Sequence, residues 1–162
     1  MRLITLSFYL AGLINIVGML LIATPELTDL YNSYSSTILG TSGGGVTLGR
    51  QVSVSTEYPA VFSPEGCFCI MLWGLAYISV ASKFKQVPLL CLVFCIEKVF
   101  YTLTWFNWYF SYADHVFDIS QQKPLLGLFF QAYGFNDGLF AVIFFIAFLV
   151  GLFSRGNKLK TH

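Results

Sequence analysis

PLLCLVFCIEKVFYTLTWFNWY, residues Pro88 to Tyr109, is the stretch on which the reading of the whole chain turns. It is long and apolar enough to cross a bilayer, for which a helix needs about 20 mostly apolar residues. Yet Glu97 and Lys98 stand side by side near its middle. A charged side chain at the centre of a bilayer costs about 3 kcal/mol on insertion scales. Two of them in one span imply a reason inside the protein, and any function starts there.

The composition agrees with a membrane setting. Of 162 residues, 56% are hydrophobic and only 10% are charged, against about 25% charged in an ordinary soluble domain. The length suits one compact unit, 1–162, and not several domains. A net charge of +1 gives no overall basic surface for nucleic acid.

Working outward from Pro88, three further apolar segments follow the same logic. Leu3 to Ala23 is too long for the core of a signal peptide, usually about 7–15 residues. Thr24-Pro25-Glu26 is not a small-x-small cleavage site, so a retained first helix is expected over about 3–23. A second helix over 65–82 begins at Ser63-Pro64-Glu65, a cap, a first-position proline and a first-turn acid. The third occupies 88–109 and the fourth about 127–153, with a start anywhere from Leu125 to Tyr133. The segments 24–64 and 110–126 are expected as loops. Within the longer one, Thr37-Ile38-Leu39, Val46-Thr47-Leu48 and Gln51 to Ser55 have strand-like character around Gly43-Gly44-Gly45. That pattern fits either a short β-hairpin or a loop. The glycine triplet lacks the GK[ST] and helix context of a phosphate cradle.

With four spans, Arg2, Lys83, Lys85, Arg155, Lys158 and Lys160 share one side, while Arg50 and Lys123 stand alone on the other. The positive-inside rule then places both termini in the cytoplasm. The fold expected is an all-α membrane protein, a four-transmembrane-helix bundle with a long outer loop between its first and second helices.

Depth along each helix follows from the 1.5 Å rise per residue. Counted from the cytoplasmic edge, Glu97 and Trp73 lie at roughly 14 Å, Asn15 at roughly 18 Å, Tyr101 at roughly 20 Å and Asp137 at roughly 24 Å. Glu65, Asp137 and Glu97 thus form a ladder of acids from the outer mouth towards the middle. On the third helix, Glu97, Tyr101, Thr104, Trp105 and Trp108 fall on one stripe. On the second, Gly66, Trp73 and Tyr77 can share a face. On the fourth, Gly134, Asp137, Gly138 and Ala141 make a small, polar one suited to close helix approach. The ligand-binding set expected is Asn15, Trp73, Glu97, Tyr101, Trp105 and Asp137, with Glu97 and Asp137 the candidates for any catalysis. The competing structural reading has Glu97 clamp helices by bonding Asn15 or Tyr101. Lys98 is expected to lean towards its own N-terminus and snorkel to the near surface, which disfavours a Lys98–Asp137 bridge. Trp108, Tyr109 and Tyr112 read as an interfacial aromatic belt.

The four cysteines form no CxxC pair, and neither His115 nor His162 has a second ligand at metal spacing. No cofactor or metal is expected.

The order NIVGM, YPAVFSPEG, WGLAY, IEKVFY, a W-x-x-W pair and YGFNDGLF resembles, in layout, the small DoxX-like four-helix membrane proteins of bacteria. The resemblance covers the helices and not the outer loop before Tyr58. It implies a bundle in the bacterial cytoplasmic membrane and no particular reaction. A looser likeness of layout joins the chain to the four-helix sterol-isomerase and sigma-receptor class, without a motif that transfers catalytic residues.

Three functions follow. The first is a bundle that binds a lipid-like or small amphipathic molecule around Glu97. The second is an enzyme on a lipid or quinone-like substrate, with Glu97 as general acid or base. The third is an accessory subunit docking a partner membrane protein or its own copies.

Overall fold

A computed structural model of the protein describes residues 2–38, 64–111, 117, 120–121 and 124–159. The described residues are helical throughout their regular structure: α1 is Arg2–Ile38, α2 is Pro64–Val80, α3 is Pro88–Ser111 and α4 is Pro124–Leu159. A 3-10 turn, Phe84–Gln86, joins α2 to α3. Three segments, Arg2–Leu21, Pro88–Ser111 and Gly127–Ser154, are long and apolar enough to cross a membrane. The apolar helix Glu65–Val80 is shorter.

Two boundaries differ from the sequence expectation. The membrane-length segment runs Arg2–Leu21, but its helix continues through Thr24-Pro25 to Ile38. A proline removes one hydrogen bond, and extending an existing helix is far cheaper than nucleating one. The 24–64 segment is therefore helical over its first part. Thr37 and Ile38, the start of the conceivable hairpin, lie in this helix, and the rest of that hairpin falls outside the described residues. The fourth helix begins at Pro124, ahead of the expected range, with proline in the first turn where its missing N–H costs nothing.

The helices associate in two close pairs, α1 with α2 and α3 with α4. Glycine makes each pair possible. A Cβ on Gly12 would lie 2.6 Å from the Gly74 carbonyl oxygen, and one on Gly74 would lie 2.8 Å from that of Gly12. Across the other pair, a Cβ on Gly134 would overlap the Trp105 ring. The connecting turn is tied down as well: Phe84 is buried and stacks on Phe8 at 5.9 Å between ring centroids.

Side chains from all four helices pack into two apolar cores. One core gathers Phe8, Tyr77, Phe84, Phe94, Phe140 and Phe144, and the other Met19, Cys67, Ile70, Trp105, Trp108, Phe130 and Tyr133. Trp108 is thus an inward-facing core residue, packed 5.5 Å from Phe130, and not a member of a surface belt. Tyr109 keeps partial exposure and stacks on Trp105 at 4.9 Å. Tyr112 lies outside the described residues.

The outward faces are apolar. On α3 the exposed positions Leu89, Val93, Ile96, Phe100 and Leu103 repeat at helical spacing, while its only charged residues are buried. A water-soluble helix has the opposite arrangement. Hydrocarbon is the environment in which it makes sense, and the chain is a membrane protein.

Candidate functional site

A polar layer separates the two cores. On α1 Asn15 stands between Ala11 and Met19, on α3 Glu97 and Lys98 between Phe94 and Trp105, and on α4 Asp137 between Tyr133 and Phe140. Lys98 is 0% exposed, Asp137 0%, Asn15 3% and Glu97 9%. Burial this deep demands partners, since an unpaired charge in an apolar interior is far costlier than a bonded one.

The partners come from every helix. Lys98 Nζ donates to Asp137 Oδ1 at 2.7 Å and to Asn15 Oδ1 at 3.1 Å. Its ammonium also stands 5.5 Å from the centroid of the Tyr77 ring, within range of a cation–π attraction. Asn15 Nδ2 in turn donates to the Ile70 carbonyl on α2 at 3.3 Å. Tyr77 donates its hydroxyl to Glu97 Oε2. Asn136 Nδ2 lies 3.4 Å from Asp137 Oδ1. Tyr77 therefore faces the ion pair with its ring and Glu97 with its hydroxyl.

The bridge between Lys98 and Asp137 corrects the expectation that lysine would snorkel away. Two features of the α3–α4 pair bring it about. Gly134 lets the helices approach closely, and Thr102 Oγ1 donates to the Lys98 carbonyl at 2.8 Å while facing the Gly134 carbonyl at 3.5 Å. Gly151 packs on Pro88, so counting from those two levels leaves Asp137 about 6 Å further along the bundle than Lys98. The four-carbon lysine stem spans that step. Side-chain lean biases direction by less than the cost of leaving both charges without partners.

Of the residues singled out in the sequence, Asn15, Glu97 and Asp137 meet in this layer through Lys98 and Tyr77. Trp73 is partly buried and meets Phe94 edge-on at 6.1 Å, in the aromatic core next to the layer. Trp105 belongs to the other core, where Nε1 donates to the Phe130 carbonyl at 2.6 Å. Tyr101 is half-buried beside that core, with its ring 5.9 Å from Phe100. Thr104 turns its hydroxyl to the Phe100 carbonyl. Glu65 is exposed at the start of α2, so the acid ladder reduces to Asp137 and Glu97. Sequence reasoning placed Tyr77 on the right face without giving it a role. Its spacing from Trp73, one helical turn, was the available signal.

No family model, curated protein or solved structure matches this chain. The chemistry of the layer therefore carries the functional reading. Among the described residues no group of three His, Cys, Asp or Glu is placed to hold a metal ion. The layer offers two carboxyl groups, one amine and a phenol in a low-dielectric interior, a set suited to hydrogen bonding and proton transfer.

Proposed function

We propose that the protein is a membrane-embedded binding protein whose bundle receives the polar end of a lipid-like or small amphipathic molecule at the layer around Glu97. The observation that carries the reading is Glu97 Oε1. It is buried and accepts no hydrogen bond among the described residues, and the Glu97 carboxyl, unlike that of Asp137, has no cation bonded to it there. A polar group on a ligand, a donor to an ionised Glu97 or an acceptor for the hydroxyl of a protonated one, would complete it, because a buried polar atom left unbonded costs about 1–3 kcal/mol. Trp73, beside the layer, supplies apolar surface for the remainder of such a molecule, with Trp105 and Tyr101 further along α3.

The topology that goes with this reading has four crossings and both termini on the cytoplasmic side, a layout similar to the DoxX-like proteins. Support comes from the Lys and Arg distribution and from the burial of Tyr77 on α2 against α3 and α4, which makes α2 an integral part of the bundle. At 17 residues α2 rises about 25 Å, a little short of a hydrocarbon core of about 30 Å. Local thinning of the bilayer accommodates such a mismatch at modest cost.

Native mass spectrometry of the gently extracted protein tests the proposal, with wild type beside Glu97→Gln. A small molecule carried by the wild type and lost from a folded mutant is the expected result. A wild type that flies empty, or a ligand retained by the mutant, overturns it.

The Tyr77–Glu97 hydrogen bond favours a second reading, an enzyme on a lipid or quinone-like substrate with Glu97 as general acid or base. Glu97→Gln would then abolish turnover while leaving some binding.

A further inference from the structure

The layer holds two carboxylic acids and one lysine, and the lysine is engaged away from Glu97. An ammonium has three N–H donors. Lys98 gives one to Asp137 and one to Asn15, and its remaining side faces the Tyr77 ring. No hydrogen bond or ion pair joins it to Glu97 among the described residues. Glu97 has the Tyr77 hydroxyl on Oε2, while Oε1 has no donor. The groups facing this site are Asn15 from α1, Tyr77 from α2, Lys98 and Tyr101 from α3, and Tyr133 and Asp137 from α4. Lys98 is the single cation in that set.

If Glu97 were ionised, the layer would hold two negative charges against one positive, inside a bundle whose outer faces are apolar. The second carboxylate would be buried without a counter-ion, the arrangement that buried ion pairs exist to avoid. A protonated Glu97 removes the excess: Lys98 cationic, Asp137 anionic and Glu97 a neutral acid give a layer of zero net charge. The neutral carboxyl carries only the smaller desolvation cost of a polar group. The Tyr77 hydrogen bond is compatible with it, since the acid's carbonyl oxygen still accepts.

We infer that Glu97 is a proton-binding site that holds one exchangeable proton at neutral pH, kept there because Asp137 and Asn15 occupy the lysine of the layer. The step is a simple one. A proton joins or leaves one carboxyl oxygen, with water as its source and sink, and no other bond changes. The layer as a whole carries one proton for its two acids, and removing the lysine raises that number to two. This site stands apart from the ligand reading, because a proton occupies it whether or not an amphipathic molecule docks.

Infrared spectroscopy of the full-length protein in ether-linked phosphocholine vesicles, which have no ester carbonyl of their own, reads the proton directly. The wild type at neutral pH is expected to show the carbonyl stretch of a protonated carboxylic acid, sensitive to exchange into deuterium oxide. Glu97→Gln should remove that band. Tyr77→Phe should keep it at a higher frequency, one hydrogen bond having been lost. Lys98→Met should add a second band, from Asp137. The wild-type spectrum needs no variant to fold, and the lack of a protonated-carboxyl band in it overturns the inference. A wild-type band that neither Glu97→Gln nor Tyr77→Phe alters also overturns it, because the proton then resides elsewhere. A Lys98→Met protein with an unchanged single band overturns the claim that Lys98 is what keeps Asp137 ionised.

Discussion

Lys98 and Asp137 depend on each other because neither can be solvated where it lies. Asp137→Leu should therefore destabilise the bundle by about 3–5 kcal/mol, the range for stranding one member of a buried ion pair. The double variant Lys98→Met with Asp137→Leu should recover most of that loss, since an apolar pair of similar volume needs no partner. Thermal unfolding in mild detergent measures both, and a double variant no more stable than the single would show that the pair is not the cause. Tyr77→Phe removes a donor and leaves the ring against Phe94 and Phe144, at 4.8 Å from each. A loss of about 1–3 kcal/mol with the fold retained is expected, the cost of one unmade buried hydrogen bond; a null effect would mean that Glu97 finds another donor. At this scale the sequence was legible for Asn15, Glu97 and Asp137, because a polar residue within an apolar run stands out. It was not legible for the Tyr77–Glu97 bond, since tyrosine is at home in any aromatic-rich helix and its partner is twenty residues away.

Two elements on α4, four residues apart, separate close packing from mere smallness. Gly134 sits against the Trp105 ring with no room for a methyl group, whereas the nearest atoms to a Cβ on Gly138 are those of Thr102 at 3.7 and 3.8 Å. Gly138→Ala should be nearly neutral and Gly134→Ala should cost on the order of 1–3 kcal/mol, the usual penalty for overpacking. Comparing the two melting temperatures checks this, and equal effects would count against the α3–α4 approach described above. In the other pair, Gly12→Leu must push α1 away from α2, because the atom it meets is the Gly74 backbone oxygen. Sequence patterning pointed to a small face on α4. It could not say which glycine of that face was in contact, because that depends on the height at which two helices cross.

For the whole molecule, α2 decides the number of crossings. If α2 spans, Glu65 and Lys85 face opposite sides of the membrane. Single cysteines at these two positions, in a background with Cys69→Ala, should be labelled by an impermeant maleimide from opposite sides of oriented vesicles. Labelling from one side would make α2 a non-spanning helix packed into the bundle.

Hydropathy and length alone determined that this is a helical membrane protein and roughly where its helices lie, because a spanning backbone must bond internally and apolar runs of about 20 residues do so as helices, not as the shorter strands of a barrel. The charge distribution suggested an orientation, and isolated polar residues in apolar runs marked three members of the central layer. Tertiary structure decided what those residues do together. Lys98 meets Asp137, and Glu97 meets Tyr77, because glycine contacts fix the spacing and height of neighbouring helices. Partner choice in a low-dielectric interior then follows from which groups come within hydrogen-bond reach. A periodic pattern records which face of a helix turns inward. It holds no information about the relative height of two helices, and that height selects the partners.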